Sequence, residues 1–78
     1  MPTILRSGPY RFYFYSSDGP EPVHIHVQRD EATAKYWLDP LRLDYSIAFR
    51  PVELRRIQAI IEENREVILE AWNEYFRQ

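Results

Sequence analysis

At Pro51 the period of the hydrophobic pattern changes from two to about 3.6, and that switch restricts the chain to strands followed by helix. Before it, residues 23–28 (Val-His-Ile-His-Val-Gln), 32–38 (Ala-Thr-Ala-Lys-Tyr-Trp-Leu) and 41–47 (Leu-Arg-Leu-Asp-Tyr-Ser-Ile) read as strands. An aromatic run over 10–15 (Tyr-Arg-Phe-Tyr-Phe-Tyr) suits a fourth strand. Ser16-Ser17-Asp18-Gly19-Pro20-Glu21-Pro22 is loop by composition, Arg29-Asp30-Glu31 a hairpin turn, and Asp39-Pro40 another turn. After the switch, Leu54, Ile57, Ile61, Ile68, Trp72 and Phe76 recur at helical spacing, widened by Ile60, Val67 and Ala71. Pro51 suits the first helical position, and Glu53 can reach back to the helix start, where Arg50 stands in place of a small polar cap. Asn64 lies on the apolar stripe and could bend or break the helix. Because the period runs through it, one helix over about 51–77 is expected.

These elements predict an α+β single domain over 1–78. A four-stranded antiparallel meander (about 10–15, 23–28, 32–38 and 41–47) would be covered on one face by a C-terminal amphipathic helix. The expected core is Phe12, Phe14, Val23, Ile25, Val27, Leu41, Leu43 and the helical stripe. For residues 32–38, either Ala34, Tyr36 and Leu38 or Lys35 and Trp37 face it, and the first choice is preferred. A chain of 78 residues has room for one modest core, and with no cysteine it has neither disulfide nor thiolate metal site to reinforce it. Six Tyr, four Phe and two Trp supply the large apolar surfaces instead. No run of 18 apolar residues exists, so no membrane span is expected, and the N-terminal stretch does not read as a signal peptide. A cytoplasmic location fits the absence of cysteine. The net charge of −2 argues against nucleic-acid binding through bulk positive charge. Residues 1–50 are balanced, six Lys/Arg against six Asp/Glu, so any basic surface is local.

Strand alternation puts both histidines, His24 and His26, on the face opposite the core, together with Arg11, Tyr13, Tyr15, Gln28, Lys35, Trp37, Arg42 and Asp44. A small monomer seldom leaves so much aromatic area to solvent without a partner.

Over nearly its whole length the chain resembles the bacterial family called domain of unknown function 4160. The resemblance rests on Met1-Pro2-Thr3-Ile4, Phe12-Tyr13-Phe14-Tyr15, Glu21-Pro22-Val23-His24-Ile25-His26-Val27 and Ala34-Lys35-Tyr36-Trp37-Leu38. It continues through Glu53-Leu54-Arg55-Arg56-Ile57, Asn64-Arg65-Glu66 and Glu70-Ala71-Trp72. The chain departs from it at Glu21, where the family usually has a second proline, and at Arg50, where it has a small polar cap. The resemblance implies a gene neighbour of another small family, domain of unknown function 2442, in a toxin–antitoxin-like arrangement. It thus implies a protein partner and a possible nucleic-acid target.

Three functions follow from the histidine face. The first is protein binding, to a cognate small protein from a neighbouring gene or to a second copy, through Arg11, Tyr13, Tyr15, Lys35, Trp37 and Arg42, residue types that dominate interfaces. The second is a metal-independent ribonuclease-type toxin with His24 and His26 as acid and base. In it Arg42, Lys35 or Arg11 would stabilise charge, and Tyr13, Tyr15 and Trp37 would stack bases. Its weakness is geometric, because imidazoles two residues apart on a strand point the same way. The third is a divalent metal such as zinc at His24 and His26, needing a third ligand from Asp18, Glu21 or Asp44; the other two functions need no cofactor. The histidines could instead serve structure alone, hydrogen-bonding Asp44, Asp18 or backbone.

Overall fold

The computed structural model describes residues 3–77. Met1, Pro2 and Gln78, part of the expected domain, lie outside them. Five strands run in sequence order and pair antiparallel with their neighbours: β1 (Thr3–Ser7), β2 (Tyr10–Tyr13), β3 (His24–Arg29), β4 (Ala32–Leu38) and β5 (Leu41–Ile47). Two helices follow, α1 (Pro51–Glu63) and α2 (Arg65–Phe76). The fold class is α+β, with one more strand and one more helix than the sequence pattern suggests.

β1 escapes the alternation test because its pairing with β2 is irregular between Thr3 and Leu5, so the adjacent Ile4 and Leu5 leave no period of two. It turns into β2 through Gly8, whose φ of 58° suits glycine. β2 ends at Tyr13 rather than at residue 15, because the chain bends away there. The Asp18 carboxylate accepts the Tyr15 N–H (2.8 Å), while the Asp18 N–H bonds the Tyr15 carbonyl (3.0 Å), closing a single 3-10 turn over Ser16–Asp18.

The helix breaks at Asn64. Its backbone N–H reaches the carbonyls of Ile60 and Ile61, and its side-chain Nδ2 donates to the Ile60 carbonyl (2.8 Å), which ends α1. Its own carbonyl accepts from Ile68 and opens α2. The apolar stripe survives the break, since Ile57, Ile61 and Ile68 are all fully buried. Val67, expected to widen it, is exposed, and Leu69 packs against the core in its place beside the expected Ile68.

The core lies between one sheet face and this stripe. Phe12, Ile25, Val27, Ala34, Tyr36 and Leu38 from the sheet meet Ile57, Ile61 and Ile68, together with Tyr10, Phe14 and Phe49. Each fully buried Ile, Leu, Val or Phe contributes about 1.5–3 kcal/mol. Val23 and Leu41, both expected inside, are half-buried against this cluster. Leu43 is 38% exposed, contrary to the sequence reading, because β5 is an edge strand with a neighbour on one side only.

Pro51 occupies the first position of α1, and Arg50 donates its N–H to Glu53 (3.3 Å), as the sequence suggests. Arg29 at the end of β3 donates to the same carboxylate through Nε (2.7 Å) and Nη2 (3.0 Å), fastening the helix start to the sheet. Among the described residues no helix is long and apolar enough to cross a membrane.

Candidate metal centre

The side of the sheet away from the core is built in rows. Tyr13, His26, Lys35 and Tyr45 lie opposite one another across β2 to β5, and His24, Trp37 and Arg42 form a second row. Lys35 and Trp37 therefore share the histidine face, as expected from the alternation of β4. Tyr45 reaches it because β5 carries an extra residue, Asp44, between the partners of Tyr36 and Lys35.

The histidine face is not open. His24 is 0% and His26 5% exposed, and Tyr13 is buried as well. The Ser16–Asp18 turn folds back over the rings and brings Asp18, itself 8% exposed, onto both of them. Asp18 Oδ2 lies 3.0 Å from His24 Nε2, out of hydrogen-bond alignment, and accepts a hydrogen bond from His26 Nε2 at 3.1 Å. Gly19 lets the turn sit close to α2: a Cβ there would stand 2.9 Å from the Phe76 ring. Trp72 closes the site from the helix side, with its ring 5.1 Å from Phe14 and 5.2 Å from His24. Tyr13 stacks on His26 at 5.4 Å, and Tyr15 meets the same ring edge-on at 4.7 Å.

The protonation pattern of His24 is set by its surroundings. Nδ1 lies 2.9 Å from the Pro22 carbonyl, which can only accept, so Nδ1 carries a proton. In the neutral ring Nε2 then presents a lone pair. That nitrogen is fully buried and makes no hydrogen bond, since its 3.0 Å approach to Asp18 lacks hydrogen-bond alignment. A buried lone pair beside a carboxylate oxygen is unfavourable unless a cation lies between them. At His26 the dominant influence is burial, which pushes the imidazole below its ordinary value. Asp18 opposes the shift and His24 reinforces it. A neutral imidazole is the form that ligates metal.

Asp18, His24 and His26 each offer one donor atom, all within 4.8 Å of one another. Zinc bonds of about 2.0–2.1 Å at tetrahedral angles hold donors about 3.3 Å apart, so the two separations from Asp18 need open only slightly. Two imidazoles and one carboxylate suit zinc, and also iron, nickel or copper.

Residues 10–73, which contain all three donors, match the family model for a domain of unknown function, DUF4160. The chain belongs to the DUF4160 family. No curated protein and no solved structure gives a significant match.

Of the three carboxylates offered as third ligand in this DUF4160 chain, the structure brings Asp18 to the histidines. Glu21 lies 3.7 Å from His24 Nδ1, the nitrogen turned to Pro22, and accepts a hydrogen bond from Lys35 (2.8 Å). Asp44 sits 3.8 Å from Lys35. Part of the expected contact surface is engaged within the fold. Tyr13 is buried, with its hydroxyl held protonated by burial and by Tyr15, whose own hydroxyl is 3.3 Å away. Lys35 lies 4.3 Å over Trp37, and Arg11 bonds Gln28 and covers Tyr13. Tyr15 and Arg42 remain exposed, joined by Tyr45 and Ile47, which sequence reasoning did not assign. The bulge that turns these two outward has no signature in a strand that reads as regular. Trp72, read as core alone, also lines the site. No local pattern announces that, because it depends on where the helix ends against the sheet.

Proposed function

We propose that this DUF4160 domain binds one divalent transition-metal ion, zinc being the simplest fit, through Asp18 Oδ2, His24 Nε2 and His26 Nε2. The observation that carries the reading is the convergence of three buried donor atoms: Asp18 Oδ2 stands 3.0 Å from His24 Nε2, a buried nitrogen with no hydrogen bond of its own, and 3.1 Å from His26 Nε2. Three protein ligands leave one coordination position for water or a small ligand, the arrangement of zinc sites that do chemistry rather than hold structure. The flanking rings of Tyr13, Tyr15, Trp37 and Trp72 keep bulk water from the ion and strengthen its field. Metal-free RNA cleavage by the same histidines would need the Asp18 turn to lift, because both rings are buried beneath it.

The test is titration of dialysed protein with zinc by calorimetry, together with elemental analysis. One ion per chain is expected. His24→Ala, His26→Ala and Asp18→Asn should each weaken binding by more than the roughly 10–100-fold typical of losing an outer hydrogen-bond partner. Glu21→Gln and Asp44→Asn should bind as the parent does. Absence of stoichiometric binding, or equal loss in the Glu21 variant, would refute the site.

A second reading, recognition of a cognate small protein as half of a toxin–antitoxin-like pair, is supported by exposed Tyr15, Tyr45 and Ile47 on the sheet side away from the helices. Tyr45→Ala with Ile47→Ser would then abolish co-purification with the neighbouring gene product and leave metal binding intact.

A further inference from the structure

The strand order leaves two edges, and they are built differently. β1 is only five residues long, and a short edge strand is one of the ways natural sheets discourage further pairing; both edge strands carry an irregularity. β5 is seven residues long, contains no proline or lysine, and exposes Leu43 (38%), Tyr45 (41%) and Ile47 (58%). Its outer side presents backbone N–H and C=O groups that no other strand uses.

The sequence of β5 is complementary to itself. In antiparallel pairing about a two-fold axis at Leu43, Arg42 of each copy falls opposite Asp44 of the other, and Leu43 falls opposite Leu43. The paired charges lie on one face: Arg42 is opposite Trp37, and Asp44 points to Lys35. Arg42 makes no ion pair among the described residues, and Asp44 has only the 3.8 Å approach of Lys35, a side chain already bonded to Glu21. Moving the axis to Arg42 or to Asp44 would set like charges against each other, which disfavours those registers. The extra residue at Asp44 interrupts the regular strand just past Leu43, so the pairing is short and centred there.

We infer that two copies of this chain associate by antiparallel pairing of their β5 edges in the register centred on Leu43, independently of the metal site. The closing experiment is light scattering after size exclusion from micromolar to millimolar chain, with chelator present so that ion bridging through the histidines cannot contribute. The mass should rise from one chain to two with concentration. Arg42→Asp and Asp44→Arg should each raise the dimer dissociation constant about tenfold, and the double exchange should restore it. A single-chain mass throughout, single variants that associate like the parent, or a folded double variant that stays apart would each overturn the inference. If a charge variant does not fold, hydrogen exchange on the parent decides: the outward amides of β5 gain protection as concentration rises, and equal exchange rates would overturn the pairing.

Discussion

Gly19→Ala tests the packing that holds Asp18 over the histidines, and the sign of its effect is the measurement. Gly19 has φ −53° and ψ −39°, ordinary right-handed backbone open to any residue. On backbone grounds alone, alanine there should stabilise the fold by about 0.4–1 kcal/mol, because it narrows the unfolded ensemble. The tertiary contact opposes this. The new Cβ would stand 2.9 Å from Phe76 Cδ1 and 3.4 Å from Cε1, inside the roughly 3.5–4.0 Å optimum for two carbons. The ring is half-buried and packs against Trp72, Tyr75 and Phe14, with centroids at 4.3, 4.9 and 5.8 Å, so it retreats only by loosening those contacts. Overpacking of this kind costs about 1–3 kcal/mol, so the net effect should be a loss of roughly 0.5–2 kcal/mol. For a domain of this size each kcal/mol moves Tm by about 4–8 °C. Urea unfolding would be followed for the parent, Gly19→Ala, Phe76→Ala and the double variant. In the Phe76→Ala background the same glycine change should turn neutral or stabilising, since the obstructing ring is gone. If Gly19→Ala stabilises the parent protein, the Phe76 contact does not confine the turn, and the account of how Asp18 is positioned falls.

Two further outcomes follow from the core and its clamp. Ile57→Ala removes a fully buried side chain between helix and sheet and should cost about 2–5 kcal/mol with the urea slope unchanged. Val67→Ala on the exposed side of α2 should stay within about 0.5 kcal/mol of the parent, and similar losses at both sites would contradict the assigned helix faces. Glu53 is held below the usual carboxylate range, first by the Arg29 hydrogen bonds, with the Arg50 N–H, the Arg29 charge and Tyr10 adding to it against the effect of burial. A depressed folded value means its stabilisation is full above the unfolded pKa of about 4.3 and is lost as pH falls through the folded value. Thermal melts across the acid range should therefore show a shallower acid decline for Glu53→Gln than for the parent, and parallel declines would refute the clamp.

The parts of this site legible in the sequence are those fixed by local geometry. Side chains two apart on a strand share a face whatever surrounds them, so Pro22-Val23-His24-Ile25-His26-Val27 already placed both imidazoles together, and the alternation of residues 32–38 put Lys35 and Trp37 beside them. Asp18 could not be chosen over Glu21 or Asp44 in that way, because a loop carboxylate has no period. Its position follows from a turn closed on Tyr15 and seated against Phe76, an aromatic side chain far along the chain.

The same division runs through the fold. The change of period at Pro51, with Glu53 following it, is carried by short-range spacing and backbone preference, and the sequence by itself determined that strands precede helix there. Tertiary structure decided the rest. The irregular pairing of β1 with β2 hid a strand, a hydrogen bond from the Asn64 side chain broke a stripe that stayed in phase, and the folded-back turn with Trp72 buried a face expected to be open. The buried face depends on free energy gained between residues distant in sequence, and the other two are irregularities of pairing and hydrogen bonding; no periodicity along the chain records either.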